Sequence, residues 1–79
     1  MTKVTYDMVE EVYMLGLASR KAYGIAAYAE SEYAPRATII KVQDVSSDKN
    51  AIKDLVDLCN RLELSPLHLY DVIEDFIGQ

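Results

Sequence analysis

The sequence predicts an α+β fold, a three-stranded antiparallel sheet covered by two C-terminal helices, and three observations carry that prediction. Apolar and polar residues alternate twice between Glu11 and Glu30. The run from Ala37 to Val45 is rich in β-branched side chains, and two stretches after Ser46 place their apolar residues at helical spacing. The sheet is expected over about residues 11–45 and the helix pair over about 47–77, within a single domain of residues 1–79.

Residues 1–11 are polar and of mixed charge and read as a loose lead-in. From Glu11, Tyr13, Leu15 and Leu17 fall on one face of a strand, with Val12, Met14, Gly16 and Ala18 on the other. Ser19-Arg20-Lys21 is a polar turn. Ala22–Glu30 then returns with Tyr23, Ile25 and Ala27 on one side and Gly24, Ala26 and Tyr28 on the other. Val9, Val12, Tyr13, Gly16 and Leu17 also fit a helical stripe, so the alternative is an all-α chain with an N-terminal helix. The glycines and the tyrosines favour sheet. Ser31–Arg36, which contains Pro35, reads as a loop, and Thr38, Ile39, Ile40, Val42 and Val45 make the strongest strand.

The first helix starts after Ser46, Ser47 or Asp48, each able to accept hydrogen bonds from the free N–H groups of a first turn. Ile52, Leu55, Val56, Cys59 and Leu62 form its apolar stripe, widened by Ala51 and Leu58. Pro66 removes a backbone donor and turns Ser65 away from helical angles, so one helix ends there and another begins with Ser65 as cap. Leu64 and Leu69 are spaced to pack together across that start. In the second helix Leu69, Val72, Ile73, Phe76 and Ile77 face inward, and Gly78 ends it.

Tyr23-Gly24-Ile25, Asp44-Val45-Ser46-Ser47-Asp48 and, most specifically, the stretch from Asn60 to Phe76 with its Ser-Pro-Leu-His-Leu hinge and acidic tail resemble a family of short proteins from Gram-positive anaerobic bacteria. That family is a domain of unknown function, and the resemblance covers about residues 22–77. It implies the same architecture and supplies no catalytic residue.

Half of the residues (51%) are hydrophobic, too many for a disordered chain, and no apolar run approaches the ~20 residues of a membrane span. Met1-Thr2-Lys3, followed by Tyr6, Asp7, Glu10 and Glu11, is neither a signal peptide nor a basic transit helix, and the expected location is the cytoplasm. A single cysteine, Cys59, excludes an internal disulfide. At 79 residues the core supplies roughly 3–5 kcal/mol, and self-association is an easy source of more. The net charge is −5, and residues 1–43 balance five acids against five bases, so the whole excess lies in the second half. That acidity argues against nucleic-acid binding and against anionic lipid, and favours a basic protein partner.

No residue pattern supplies catalysis, a metal or a cofactor. His68 shares the second helix with Asp71 and Asp75, yet one imidazole and two carboxylates fall short of a zinc set, which leaves a minimal metal hydrolase on His68 and Asp71 as the weakest reading. Cys59, on the apolar stripe, reads as a small buried hydrophobe. Asp71, Glu74 and Asp75 form an acidic face, on the plainer account a solvated one, that could also stand in for phosphates against a basic enzyme. Six tyrosines against one phenylalanine suit an interface, where the ring packs and the hydroxyl stays wet. Clustered on the sheet face opposite the helices, Tyr13, Tyr23, Tyr28 and Tyr33 would form a partner surface, with ordinary packing within the sheet as the alternative, and with His68, Asp71 and Asp75 they are the candidate partner-binding residues. The function expected is a non-enzymatic interaction or regulatory module that binds a protein or itself through the sheet, with an acidic inhibitor as the alternative.

Overall fold

The computed structural model describes residues 3–78. Three strands, β1 (Lys3–Leu15), β2 (Ala18–Ser31) and β3 (Ala34–Ser46), form one antiparallel sheet in the order β1-β2-β3. Two helices, α1 (Lys49–Arg61) and α2 (Leu69–Ile77), follow, with a 3-10 turn at Pro66–His68 between them. The fold is α+β, as the alternation and the helical stripes predicted.

The strand boundaries differ from expectation at three places. The amino-terminal segment is a strand from Lys3 onward and no lead-in, because Val4, Tyr6 and Met8 alternate into the core while Thr5, Asp7 and Val9 face the other way. Met1 and Thr2 of that expected lead-in lie outside the described residues. The first turn is Gly16–Leu17, since Leu15 pairs with Ala18, and Ser19-Arg20-Lys21 is strand. Gly16 has φ +66° while Leu17 keeps a negative φ, the two-residue arrangement whose twist suits a hairpin and which places glycine first. Ser31–Arg36 is largely strand too: Ser31 pairs with Ala34, the loop is only Glu32–Tyr33, and Pro35 sits on an edge strand where its missing N–H costs no ladder bond.

Both helices cover one face of the sheet. Tyr6, Tyr23, Ile25 and Ala27 from the strands meet Ile52, Leu55, Val56 and Cys59 of α1 and Leu69 and Ile73 of α2. Each large side chain so buried contributes roughly 1.5–3 kcal/mol. Leu62 and Ile77, expected inside, are exposed. Asp48 caps α1, its carboxylate accepting from the Ala51 N–H at 3.2 Å. The far end closes with Leu64 N–H donating to Cys59 C=O and Glu63 N–H to Asn60 C=O, and Glu63 at φ +49° takes the left-handed position usually given to glycine. Ser65 caps the 3-10 turn and Leu64 and Leu69 join the same core, so the elbow forms where Pro66 put it. Gly78, by contrast, keeps ordinary right-handed angles.

The end of α1 and the turn after it are tied to β1 by three hydrogen bonds. Tyr6 N–H donates to Asn60 Oδ1 at 2.8 Å, Asn60 Nδ2 donates to Tyr6 C=O at 2.9 Å, and the Tyr6 hydroxyl donates to Leu64 C=O at 2.6 Å. A primary amide thus pairs with both backbone groups of an edge-strand residue, as a neighbouring strand would.

The other face has no helix. Its middle strand presents Ala22, Gly24 and Ala26, all buried, because longer side chains from the two edge strands close over them. Asp7 of β1 pairs with Arg36 of β3, and Glu11 of β1 reaches Lys41 at 3.8 Å and Gln43 of β3. Edge strands lie about 10 Å apart across a central strand, so such pairs meet only above residues as small as alanine. Exposed ion pairs contribute about 0–1 kcal/mol each, and here their larger effect is to cover the face. Gly24 answers a further demand: a Cβ there would overlap the Val42 carbonyl oxygen and stand 3.0 Å from Gln43 Cα, where β3 shifts register against β2.

Candidate functional site

The tyrosines expected to share one surface divide between three places. Tyr23 is in the core, 7% exposed, because the pleat that puts Ile25 and Ala27 under the helices puts Tyr23 there too, so it is withdrawn from the partner-binding set. Tyr28 faces the helix-free side with the Arg36 guanidinium 3.8 Å from its ring centroid, and Tyr13 lies on the same side beneath Arg20 at 5.2 Å. Tyr33 projects from the β2–β3 turn. Asp7, bonded to the Arg36 guanidinium, raises its pKa and holds that cation over Tyr28.

His68 and Asp71 are both exposed, and no hydrogen bond joins them among the described residues. His68 closes the 3-10 turn, its backbone N–H donating to Ser65 C=O at 2.9 Å. No group of three His, Cys, Asp or Glu side chains is placed to hold a metal ion among the described residues. Cys59 is buried, and burial pushes its thiol pKa up, away from the thiolate that nucleophilic chemistry requires.

Two surfaces stand out instead. The first is the far end of the β1–β2 hairpin. Pairing of β2 with β3 stops at Tyr23 and Ser46, whereas pairing of β1 with β2 continues to Leu15 and Ala18, which leaves residues 12–21 as a two-stranded arm. The molecule is correspondingly long, 47 × 29 × 18 Å. Val12 and Met14 sit on the face that the helices cover further back, Tyr13 and Leu15 on the other, and Leu17 at the tip. Met14 and Leu15 are each 68% exposed and Leu17 stands fully in solvent. The two charges of the arm are both positive, Arg20 and Lys21.

The second surface is the outer seam between the helices, a cleft of about 340 Å³ floored by Ala51, Leu55, Leu58, Val72 and Phe76 and flanked by Asp54 and Asp75. Every ion pair among the described residues joins sheet residues, so Asp54, Asp75 and the neighbouring Asp71 and Glu74 have no cation within 4.0 Å. Of the expected site residues, Asp75 alone lines this cleft.

The arm is hard to read from the sequence because simple alternation sets Leu15 and Leu17 on one strand face. The signal was present in Leu15-Gly16-Leu17-Ala18, a glycine between apolar residues that marks the shortest hairpin turn. The Asn60–Tyr6 pair had no such signal, since its partners are 54 residues apart.

No helix among the described residues is long and apolar enough to cross a membrane. No curated protein and no solved structure matches the chain. A family model does match, over residues 1–79, which adds the whole amino-terminal strand to the segment that carried the resemblance. The chain belongs to that family, described as a family of unknown function (DUF6514).

Proposed function

We propose that this protein is a small non-enzymatic interaction module that binds a protein partner or itself through its sheet, with the β1–β2 arm as the contact element. The observation that carries the reading is that the arm exposes large apolar side chains on both faces, Val12 and Met14 on one and Leu15 on the other, with Leu17 at its tip. A solvated sheet face is ordinarily polar, and a two-stranded ribbon alone is marginally stable, so apolar side chains on both sides call for a cover from outside the chain. Tyr13 and Tyr28 extend the same surface along the helix-free side.

Replacing Leu15 and Leu17 by Glu together tests this. Both side chains are exposed, so the circular-dichroism spectrum and melting temperature are expected to match those of the parent chain. Self-association in light scattering, or a partner retained from native lysate, is expected to disappear. Assembly and retention identical in parent and variant would end the reading.

The carboxylates of α2, which have no ion-pair partner among the described residues, support a second reading, an acidic inhibitor whose Asp71, Glu74 and Asp75 occupy the phosphate channel of a basic enzyme. It requires binding that weakens steeply with salt, and capture that persists at high salt would exclude it.

A further inference from the structure

The geometry points to a second copy of this chain as the occupant of the cleft between α1 and α2, its β1–β2 arm seated there while its own cleft receives the arm of the first. This rests on the reading of the arm as the contact element. It adds both the partner and the seat.

Three features of the molecule favour this occupant. The arm offers apolar side chains at its tip, Leu15 and Leu17, and the cleft offers an apolar floor at Leu58, Val72 and Phe76, with a volume typical of binding clefts, ~300–1,000 Å³. Charges match as well: the arm carries Arg20 and Lys21 and no acid, whereas the cleft is flanked by Asp54 and Asp75 and no base. The local partners of Arg20 and Lys21, Asp44 at 3.2 Å and Glu10 at 3.6 Å, form exposed pairs that are weak and easily exchanged. The third feature is stoichiometric. Each chain has one arm and one cleft, so reciprocal seating about a two-fold axis leaves neither unfilled, and a closed pair results where one-way seating would run on as a filament.

The test uses the full chain and three variants. One reverses the arm charges (Arg20→Glu with Lys21→Glu), one reverses the cleft charges (Asp54→Lys with Asp75→Lys), and the third is the Leu15→Glu, Leu17→Glu arm. All six positions are exposed or lie at the rim, so folding is expected to persist and is checked by circular dichroism. The parent chain is expected to be a dimer by sedimentation and light scattering. Each charge-reversed variant alone is expected to dimerise more weakly by on the order of tenfold or more, because like charges then meet at both junctions. Mixing the two reversed variants restores opposite charges at both junctions, and a 1:1 heterodimer is expected.

A monomeric parent chain overturns the inference and leaves the arm free for an unrelated partner. A dimer that the cleft reversal does not weaken, but that the leucine changes dissolve, also overturns it while sustaining the arm as contact element. A mixture that stays monomeric overturns the pairing of arm with cleft.

Discussion

The two ends of the β1–β2 hairpin are one continuous ladder and yet obey different rules. At the base, Val4, Tyr6 and Met8 pack beneath the helices, Ala22 and Ala26 lie under a canopy of ion pairs, and Asn60 occupies the strand edge. At the tip, Val12, Met14, Leu15 and Leu17 have the same apolar character and nothing above them. Stability therefore resides in the base, and the tip leaves its apolar side chains in solvent. A strand's chemistry alone does not say which role it plays, since cover does.

The sharpest way to break the base is Gly24→Ala. The added methyl would overlap the Val42 carbonyl oxygen, a backbone atom that cannot rotate away, so β3 must separate from β2 at its register shift. We expect a loss of about 3 kcal/mol, at the upper end of overpacking effects, measured by urea unfolding. A loss below about 1 kcal/mol would mean that β3 yields freely there.

Next in size is Asn60→Ala, which leaves the N–H and C=O of Tyr6 unpaired at a half-covered edge. A loss of about 2 kcal/mol is expected, together with faster amide exchange confined to the first half of β1. Uniform protection along β1 in the variant would show that α1 does not hold that edge.

These two residues also mark where the fold could and could not be read from sequence. The helix pair was legible because its stripe repeats at helical spacing and Ser65-Pro66 interrupts it, and β3 was legible from its β-branched run. The amino-terminal half of β1 was hidden by Asp7, Glu10 and Glu11, which look like a solvated lead-in. Two of these, Asp7 and Glu11, instead reach over the central strand to Arg36 and Lys41. Alanine has low strand propensity, yet Ala22 and Ala26 of β2 are what allows those pairs to close. Tyr23 belongs to the core by the alternation itself, which sets it with Ile25 and Ala27 and opposite Tyr28, and a count of aromatics carries no such information. The arm is obscured because Ser19-Arg20-Lys21 has the polarity of a turn, while the left-handed angle the turn requires belongs to Gly16.

Tyr6→Phe is a milder change at the base. It removes the hydroxyl that donates to Leu64 C=O and is expected to cost about 1 kcal/mol. The pH dependence identifies its share. Burial raises the Tyr6 phenol above its ordinary 10.0, with Cys59 adding to the rise, and burial raises the Cys59 thiol above 9.0. The folded chain thus keeps both protons to higher pH than the unfolded chain does. The stability from each group is complete below its ordinary value and is lost as pH climbs through its folded one. Unfolding followed from neutral pH to about pH 10.5 should show a decline in the parent chain that is shallower in Tyr6→Phe. Parallel declines would place that phenol outside the core.

The smallest expected effect makes the strongest case for the comparison. Met8 and Met14 are the same residue type on the same strand and the same face, six positions apart, and only Met8 lies against the core. Met8→Lys forces an ammonium group towards that core and should cost about as much as the Asn60 change. Met14→Lys should shift the unfolding free energy by no more than ~0.5 kcal/mol when measured at concentrations too low for association. If arms are exchanged between copies, that indifference must vanish as concentration rises, because a dimer is stabilised by mass action and the variant is not. A Met14→Lys chain that is unstable even when dilute would show that the tip belongs to the base after all, and the division of the hairpin into a stable half and a binding half would fail with it.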